Sequence, residues 1–282
     1  MNILTFDIED WFHILDNDST NDIKNWHKYE SRIHKNLDFI LSSINQSKHK
    51  ASFFILGWMV KKYPEIIKKI DSEGYTIGSH THLHQLIYNQ TKNDFKEDVK
   101  RSIFEIENSI GKKVKMFRAP GFSITEKNIW AFEVLYELGI EIDSSVFPSI
   151  RGHGGFPSFK YSKPSKIKVN GATLKEFPIN SINFLGKSFI FSGGGYFRFF
   201  PYFMINRWSK KSEYIMSYFH PRDFDPSQPI IKDLSIYRKF KSYYGLKFSK
   251  FKYKKWLNNY NFISIDEADK TVDWNNSPII KL

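Results

Sequence analysis

Short apolar runs and amphipathic segments alternate along the first half of the chain. Residues 1–6 and 51–56 are short and apolar, which predicts two buried strands. Over residues 23–45 the apolar positions recur at helical spacing, which predicts a helix with one buried face. The alternation continues with predicted helices at 64–74, 93–110 and 126–138 and predicted strands at 75–79 and 114–117. Strands that alternate with helices are typical of parallel strands with crossover helices, so the sequence predicts an α/β barrel or open sheet.

The second half has a different pattern, which begins after about Val146. Glycine and proline are frequent between residues 152 and 164, which indicates a loop-rich insertion over residues 149–212. The remaining predictions are a loop at 193–198, a strand at 214–219 that leads to His220, a basic helix at 235–258 and a strand at 262–265. The sequence shows no repeat, linker or low-complexity tract, so we predict one domain over 1–282 with a C-terminal extension at 235–282.

Composition narrows the class of protein. Hydrophobic residues make up 41% and aromatic residues 17% of the 282 positions, which suffices for a large core and excludes general disorder. The chain has no cysteine, so a metal ion would need His, Asp or Glu ligands. It has no apolar run long enough for a membrane span and no secretory signal at its start. We therefore expect a cytoplasmic protein, with peripheral contact to the inner membrane as an option.

The sharpest local feature is a histidine cluster that follows the predicted strand at 75–79. His80 and His84 are four residues apart, and on a helical turn both imidazoles would face one side, about 6 Å apart. At that distance they can share one cation. The alternative is a polar turn that arose by chance.

An acidic cluster follows the first predicted strand. Asp7, Glu9 and Asp10 place three carboxylates within four residues, and a divalent cation would relieve their repulsion while one carboxylate stays free as a base. A solvated acidic turn is the ordinary alternative. Because parallel strands bring their carboxyl ends to one edge, these acids and the two histidines could form a two-His, one-carboxylate site.

Two further strand ends carry candidate groups. Arg118 could orient a carboxylate base, and Gly121 in the same turn allows a backbone N–H to approach an oxyanion closely. His220 could act as a general acid on the other side of a substrate. Each has a structural alternative, since such turns are common and a lone histidine is more often structural.

In this order and spacing, the segments resemble the polysaccharide deacetylase family, the NodB-homology enzymes of carbohydrate esterase family 4. The matching motifs are TFDIED at 5–10, HTHLH at 80–84, RAPGF at 118–122, DSS at 143–145 and YFH at 218–220. The segments DIEDWFH, GGGYFR and HPRDFDP resemble the subgroup associated with exopolysaccharide and O-antigen clusters. The likeness spans residues 1 to about 225.

The resemblance implies a distorted (β/α) barrel and a set of residue roles. It makes Asp7 the catalytic base, His220 the general acid and Arg118 the residue that holds the base. It makes His80 and His84 the metal-binding imidazoles. It places a backbone N–H of Gly121 or Phe122 at the oxyanion. Apart from the resemblance, aromatic residues expected near the rim could stack on sugar rings, and the ordinary alternative is that most of them belong to the core. The candidates for substrate contact are Trp11, Phe12, Phe122 and Tyr196, together with Pro120.

One departure from the family pattern concerns the metal carboxylate. The usual adjacent Asp-Asp is replaced by Asp-Ile-Glu-Asp. Strand alternation puts Asp7 and Glu9 on one side and favours Glu9 as the ligand, but if the strand ends at Asp7 then Asp10 is equally suitable. The role of Asp143 is open, with support of the late histidine as one interpretation.

The predicted function is that of a metal-dependent hydrolase that removes N-acetyl groups from an amino sugar in a surface polysaccharide or its precursor. The metal is expected to be divalent, with zinc favoured by affinity order. The substrate partner is an N-acetylated glycan. Two alternatives are a metal-independent amide hydrolase of the same fold and a glycan-binding or nucleic-acid-binding module.

A basic, aromatic segment complicates the choice of partner. The chain carries a net charge of +12, and residues 238–255 hold eight Lys or Arg residues, no acid and six aromatic residues. Such a segment can stack on single-stranded nucleic acid or rest on an anionic membrane surface. The ordinary interpretation is an amphipathic helix packed by its aromatic residues. We expect no nucleic acid, and weak membrane-surface contact is an option.

Overall fold

Strands and helices alternate in the computed structural model, which describes residues 1–15, 17–149, 152–184 and 187–282. The strands are β1 (Asn2–Ile3), β2 (Thr5–Ile8), β3 (Ser52–Ile55), β4 (Thr76–Ser79), β5 (Met116–Phe117), β6 (Ile142–Asp143), β7 (Ser165–Val169), β8 (Ala172–Glu176), β9 (Ile182–Phe184), β10 (Lys187–Phe189), β11 (Ile215–Met216) and β12 (Ile279–Lys281). The α-helices are α1 (Asp18–Asn21), α2 (Ile33–Ser47), α3 (Gly57–Lys62), α4 (Pro64–Ser72), α5 (Lys92–Ile110), α6 (Trp130–Glu137), α7 (Gly194–Phe199), α8 (Tyr202–Lys211), α9 (Ile236–Tyr243), α10 (Leu246–Asn259) and α11 (Ile265–Thr271).

The central sheet has eight strands in the order β12-β7-β8-β6-β5-β4-β3-β2. Its neighbours pair in parallel except β7 and β8, which form an antiparallel pair. Beyond β2 the pairing continues as single parallel bridges from Phe6 to Phe219 and from Tyr218 to Gly193. The predicted α/β class is confirmed, and among the described residues backbone hydrogen bonds do not close the sheet into a barrel.

Helices cover the sheet with the faces that the apolar spacing predicts. In α2, Ile33, Leu37, Ile40, Leu41 and Ile44 are all buried. In α5, the N-cap Thr91 accepts the Asp94 N–H, and Phe95, Val99 and Ile106 face the core. Each Å² of apolar surface that these stripes bury stabilises the fold by roughly 25 cal/mol, and this burial is the main force that fixes the helices to the sheet.

Two helical predictions need correction. The helix predicted over 23–45 begins only at Ile33, because Ile23–Lys28 forms a 3₁₀ helix. The basic helix predicted over 235–258 is two helices, α9 and α10. Gly245 separates them with a φ of 76°, a left-handed conformation that ends one helix and redirects the chain.

Two other local predictions were wrong. The loop predicted at 193–198 is largely the helix α7. The strand predicted at 262–265 consists of one bridge from Ile263 to Ile3, and α11 begins at Ile265 with a capping box between Ser264 and Glu267. The Ser-x-x-Glu spacing is a helix start, and it prevails over the local β-branched content.

The segment predicted as an insertion contains regular structure. Residues 165–176 form β7 and β8, which lie inside the central sheet, and β9, β10, α7 and α8 follow. Residues 150, 151, 185 and 186 of this segment lie outside the described residues.

Parallel strands bring the candidate chemistry to one edge. The segments that follow β2, β4 and β5 begin at Glu9, His80 and Arg118, and His220 follows the strand region that pairs with β1 and β2. The carboxyl ends of parallel strands meet at one rim, which is where α/β proteins place their sites.

Candidate active site

Three buried side chains form the centre of the site. The group consists of Glu9, His80 and His84. Each contributes one potential ligand atom, and these three atoms lie within 4.8 Å of one another. A search of the described residues for potential metal ligands identifies this group. Two imidazoles and a carboxylate at this separation fit the three-ligand pattern of a catalytic divalent cation with open positions.

The orientation of His80 is suited to metal binding. Its Nδ1 lies 2.7 Å from the Arg118 carbonyl oxygen, so Nδ1 carries the proton and Nε2 presents a lone pair. Burial lowers the pKa of His80 to about 4, and the neighbouring His84 acts in the same direction. His80 is therefore neutral at pH 7, which is the state that binds a cation.

Glu9 completes the group as a carboxylate. Burial raises its pKa, but the charges of His84 and His220 outweigh burial and hold the pKa well below its usual range. Its Oε2 lies 2.8 Å from His84 Nε2, yet this contact lacks the geometry of a hydrogen bond. A buried carboxylate oxygen without a donor, facing an imidazole nitrogen, is the arrangement expected of two ligands that share a cation.

The histidine loop is not the helical turn that the sequence suggested. Thr81 and His84 have φ values of 69° and 53°, which are left-handed and strained for residues with a Cβ. The carboxylate of Asp98, on α5, accepts the backbone N–H groups of His82 and Leu83 at 2.7 and 3.1 Å. The four-residue spacing brings both imidazoles together, but the loop and its anchor on α5 do so instead of a helix.

Asp10 is not brought to the metal group. Its Oδ2 accepts hydrogen bonds from the Ser31 hydroxyl and the Arg32 N–H, at 2.5 and 2.9 Å, and its Oδ1 accepts the Trp11 N–H. The chain turns after β2 ends at Ile8, so Glu9 points to the histidines while Asp10 fastens the loop to the start of α2.

The candidate base is fixed by a buried arginine. Nη1 of Arg118 donates to Asp7 Oδ1 at 2.8 Å and to Thr5 Oγ1 at 2.7 Å. Its Nε and Nη2 donate to Ser144, and its guanidinium lies 4.3 Å from the Phe54 ring centre. The Arg118 guanidinium is thus held by Thr5, Ser144 and the Phe54 ring, and it therefore fixes the position of the Asp7 carboxylate.

The candidate acid has a partner that sequence reasoning missed. His220 Nδ1 lies 3.1 Å from Asp223 Oδ2, and Arg198 Nε donates to Asp223 Oδ1 at 2.9 Å. His220 Nε2 points to Glu9 Oε1 at 3.2 Å and lies 3.8 Å from Asp7 Oδ2. The available signal was the His-Pro-Arg-Asp spacing, which forms a capping box.

These carboxylates determine the charge of His220. Burial lowers its pKa, but Glu9, Asp223 and Asp7 outweigh burial and raise the pKa above the usual value of 6.5. The pKa of Asp223 is held at about 2, because its bonds to His220 and the charge of Arg198 outweigh burial. An imidazole whose protonated form is favoured in this way can serve as a general acid.

Asp143 does not support the late histidine. Its Oδ1 accepts the Ser145 hydroxyl at 2.6 Å, and that hydroxyl accepts the Ala119 N–H at 2.8 Å. Burial raises the pKa of Asp143, and burial together with Asp143 raises that of Glu176 well above its usual value. The pair therefore holds a proton and fixes the start of the turn at 119–122.

The residues predicted to contact substrate lie in different settings. Pro120 and Phe122 are buried, and the Phe122 ring packs on Tyr218 and Phe147 at 5.1 and 5.6 Å. The Phe122 N–H bonds to the Ala119 carbonyl oxygen. Tyr196, on α7, is 38% exposed.

Comparison with known families divides the chain in two. Residues 4–141 match the family model of the polysaccharide deacetylases, and residues 144–270 match the Domain of unknown function (DUF3473). The N-terminal half of this chain is therefore similar to the polysaccharide deacetylase family. The metal group, Asp7 and Arg118 lie in that half, whereas His220 and Asp223 lie in the second segment.

Individual relatives agree with this family. The chain is 32% identical over 95 residues to a Bacillus cereus peptidoglycan-N-acetylglucosamine deacetylase, a match covering 33% of this chain and 34% of the relative. It is 30% identical over 77 residues to Saccharomyces cerevisiae chitin deacetylase 2, covering 27% and 25%. The chain thus spans about a third or less of the length of these two relatives.

One solved structure shares the whole fold. The crystal structure of a Mycobacterium smegmatis protein assigned to the polysaccharide deacetylases superposes with a TM-score of 0.67 at 17% identity, covering 99% of this chain and 92% of that one.

Among the described residues, no helix has both the length and the apolar run needed to cross a bilayer.

Proposed function

We propose that this chain is a metal-dependent deacetylase, which hydrolyses the N-acetyl group of an amino sugar in a surface polysaccharide or its precursor. One observation carries the proposal: Asp7, fixed by Arg118, and His220, fixed by Asp223, both adjoin the group of Glu9, His80 and His84. A base, an acid and a candidate cation site in contact are the parts that amide hydrolysis needs.

The chain's own residues would move two protons. Asp7 accepts a proton from water as the water oxygen bonds to the acetyl carbon. The C–N bond then breaks while His220 gives its proton to the sugar nitrogen, so the products are acetate and a free amine. Phe122 already uses its N–H, which makes the Gly121 N–H the better candidate to stabilise the oxyanion.

The proposed ligands of a divalent cation are Glu9, His80 and His84. Zinc is favoured because it ranks high in the affinity order of divalent metals for nitrogen and oxygen ligands. A bound cation would supply Lewis-acid polarisation of the acyl group and acidification of water.

The substrate class follows from the relatives and from the rim. The names of the relatives contain N-acetylglucosamine and chitin, which supports an N-acetylated glycan here. Tyr196 is the exposed aromatic residue that we propose to contact a sugar ring. Pro120 and Phe122 would shape the site from beneath, since both are buried.

We also propose that residues 1–282 act as one domain. β7 and β8, from the predicted insertion, and β12, from the predicted extension, all belong to the central sheet, which supports this view.

The test measures metal content and acetate release on a panel of N-acetylhexosamine glycans. His80→Ala should lose bound metal and at least about a hundredfold of activity, since it removes a ligand. His82→Ala is the matched control from the same loop, because its ring lies outside the metal group. Activity of the metal-free protein would favour the metal-independent amide hydrolase instead, and activity of His80→Ala would reject the assignment.

A further inference from the structure

The C-terminal helices expose a large aromatic surface. Both Phe248 and Phe251 on α10 are more than 60% exposed, and α9 has no buried residue. Only the other face of α10, with Tyr253 and Trp256, packs into the core. The expectation that the aromatic residues of 238–255 pack inward is therefore wrong for most of them.

These side chains form a surface that we call the aromatic-basic surface. It consists of the rings of Phe199, Tyr237, Phe240, Tyr244, Phe248 and Phe251 with the lysines between them. Phe199, from α7, has ring-centre distances of 6.5 Å to Phe240 and 5.8 Å to Tyr244, and Phe240 lies 4.7 Å from Tyr244. These three rings are in contact with one another, and Phe248 and Phe251 add two exposed rings on α10. Monomeric proteins rarely leave so much aromatic surface in water without a partner.

The charge on this surface has one sign. Residues 234–265 contain no Asp or Glu, and neither do residues 177–212. Lys241 lies 4.3 Å from the Tyr237 ring centre and Lys255 lies 6.0 Å from that of Phe251. In the described part of the chain, no carboxylate forms a salt bridge with Lys239, Lys241 or Lys247. Lys239 Nζ already donates to the Lys232 carbonyl oxygen at 2.7 Å, so Lys241 and Lys247 are the cations available to an anionic partner.

We propose that the aromatic-basic surface binds the headgroup region of an anionic membrane. Lysines attract an anionic lipid surface, and phenylalanine rings partition into the boundary between headgroups and acyl chains. Ile236, at the start of α9, is 88% exposed. An aliphatic side chain cannot stack on a nucleobase as an aromatic ring does, but it can insert among acyl chains, so the surface suits lipid better than single-stranded nucleic acid.

Hydrogen bonds of Arg198 connect the aromatic-basic surface to Asp223, which contacts the candidate acid His220. Arg198 Nη1 and Nη2 donate to the carbonyl oxygens of Tyr244 and Lys241, at 2.7 and 3.0 Å, while its Nε holds Asp223. One side chain thus joins the proposed membrane contact to the partner of His220. A glycan that is carried on a membrane lipid would be met by an enzyme already resting on that membrane.

The test is co-sedimentation with phosphatidylcholine vesicles that contain or lack phosphatidylglycerol, at low and high salt, with no glycan present. We expect the intact chain to bind only the anionic vesicles and to release at high salt. Lys241→Gln with Lys247→Gln should weaken binding about 25-fold, and Phe248→Ser with Phe251→Ser at least about tenfold.

Matched controls come from α5. Phe104→Ser removes an aromatic residue with the same 65% exposure as Phe251, and Lys100→Gln removes an exposed lysine, so neither should change vesicle binding. Absence of binding to anionic vesicles at low salt, equal loss in the controls, or preference for a single-stranded oligonucleotide over the vesicles would overturn the proposal. Because no glycan is used, the result is independent of deacetylase activity.

Discussion

The partner of His220 lies three residues away on the same turn. Asp223 both accepts the His220 backbone N–H and contacts its Nδ1, which fixes the ring with Nε2 towards Asp7 and Glu9. Asp143 instead bonds to Ser145. Asp223, and not the more distant Asp143, therefore orients the candidate acid.

We expect Asp223→Asn to change the pH profile of acetate release. A carboxylate raises the pKa of His220, and His220 must be protonated to donate. Its loss lowers that pKa, so kcat should begin to fall at lower pH on the alkaline side, with a loss of about 10- to 100-fold at neutral pH. Asp225→Asn is the control, because that carboxylate pairs with Arg32 instead. An unshifted alkaline limb in Asp223→Asn would show that Asp223 only stabilises the fold.

We expect Glu176→Gln to alter the pH dependence of stability. Burial and Asp143 raise the pKa of Glu176, so the folded protein binds a proton that the unfolded chain releases above about pH 4.5. The free energy of unfolding of the natural protein should therefore fall as pH rises above that value, whereas the amide variant should lose this slope. Denaturant titrations across that range test this, with exposed Glu141→Gln as the control. Parallel curves for the natural protein and Glu176→Gln would refute the protonated state.

Helix α5 has a role beyond packing, because Asp98 holds the backbone of the histidine loop. Without Asp98, the strained conformations of Thr81 and His84 would depend on the bonds from the Gly57 and Trp58 N–H groups and on the His84 N–H bond to Thr81 Oγ1. The helix therefore determines where the two imidazoles meet.

Asp98→Ala should reduce the affinity for a divalent cation about 10- to 100-fold, since it frees the loop that carries two ligands. Calorimetric titration with zinc, without substrate, measures this directly. Glu97→Ala, the next residue on α5 and exposed, is the matched control. Equal zinc affinity in both variants would mean that the loop holds its shape alone.

Regular elements were predictable where one physical signal dominates. The apolar spacing of 33–44 and 95–106 and the short apolar runs at 51–56 and 75–79 correspond to α2, α5, β3 and β4. The failures have local causes: Gly245 breaks a periodic pattern, and Gly194–Phe199 form a helix despite two glycines. Strand alternation favoured Glu9 but left Asp10 open, because the turn after Ile8 decides which carboxylate faces the histidines.

At the scale of the molecule, the site needs both family segments. Residues 4–141 hold the candidate base and the metal group, and residues 144–270 hold His220, Asp223 and Arg198. The parallel bridge between Phe6 and Phe219 is one of the contacts that join the two segments, and it lies beside the site. This long-range contact could not be read from either segment alone.

Zinc should stabilise the folded protein, because only the folded chain brings Glu9, His80 and His84 together. Binding at a hundredfold excess over the dissociation constant contributes about 2.7 kcal/mol. Thermal denaturation with zinc or with a chelator should show this as a shift in Tm. His84→Ala should lose the shift, and the exposed His34→Ala should keep it. A shift of equal size in His84→Ala would place the cation elsewhere.

Through Arg198, the C-terminal helices also help to position Asp223, the partner of the candidate acid. Its guanidinium rests on carbonyl oxygens of the α9 end and the residue that follows, and a Cβ at Gly245 would collide with its backbone oxygen. Trimming the chain before Ser235 would therefore deprive Arg198 of two acceptors and loosen its grip on Asp223. In such shortened variants His220 should donate its proton less effectively, even where the remaining sheet is intact.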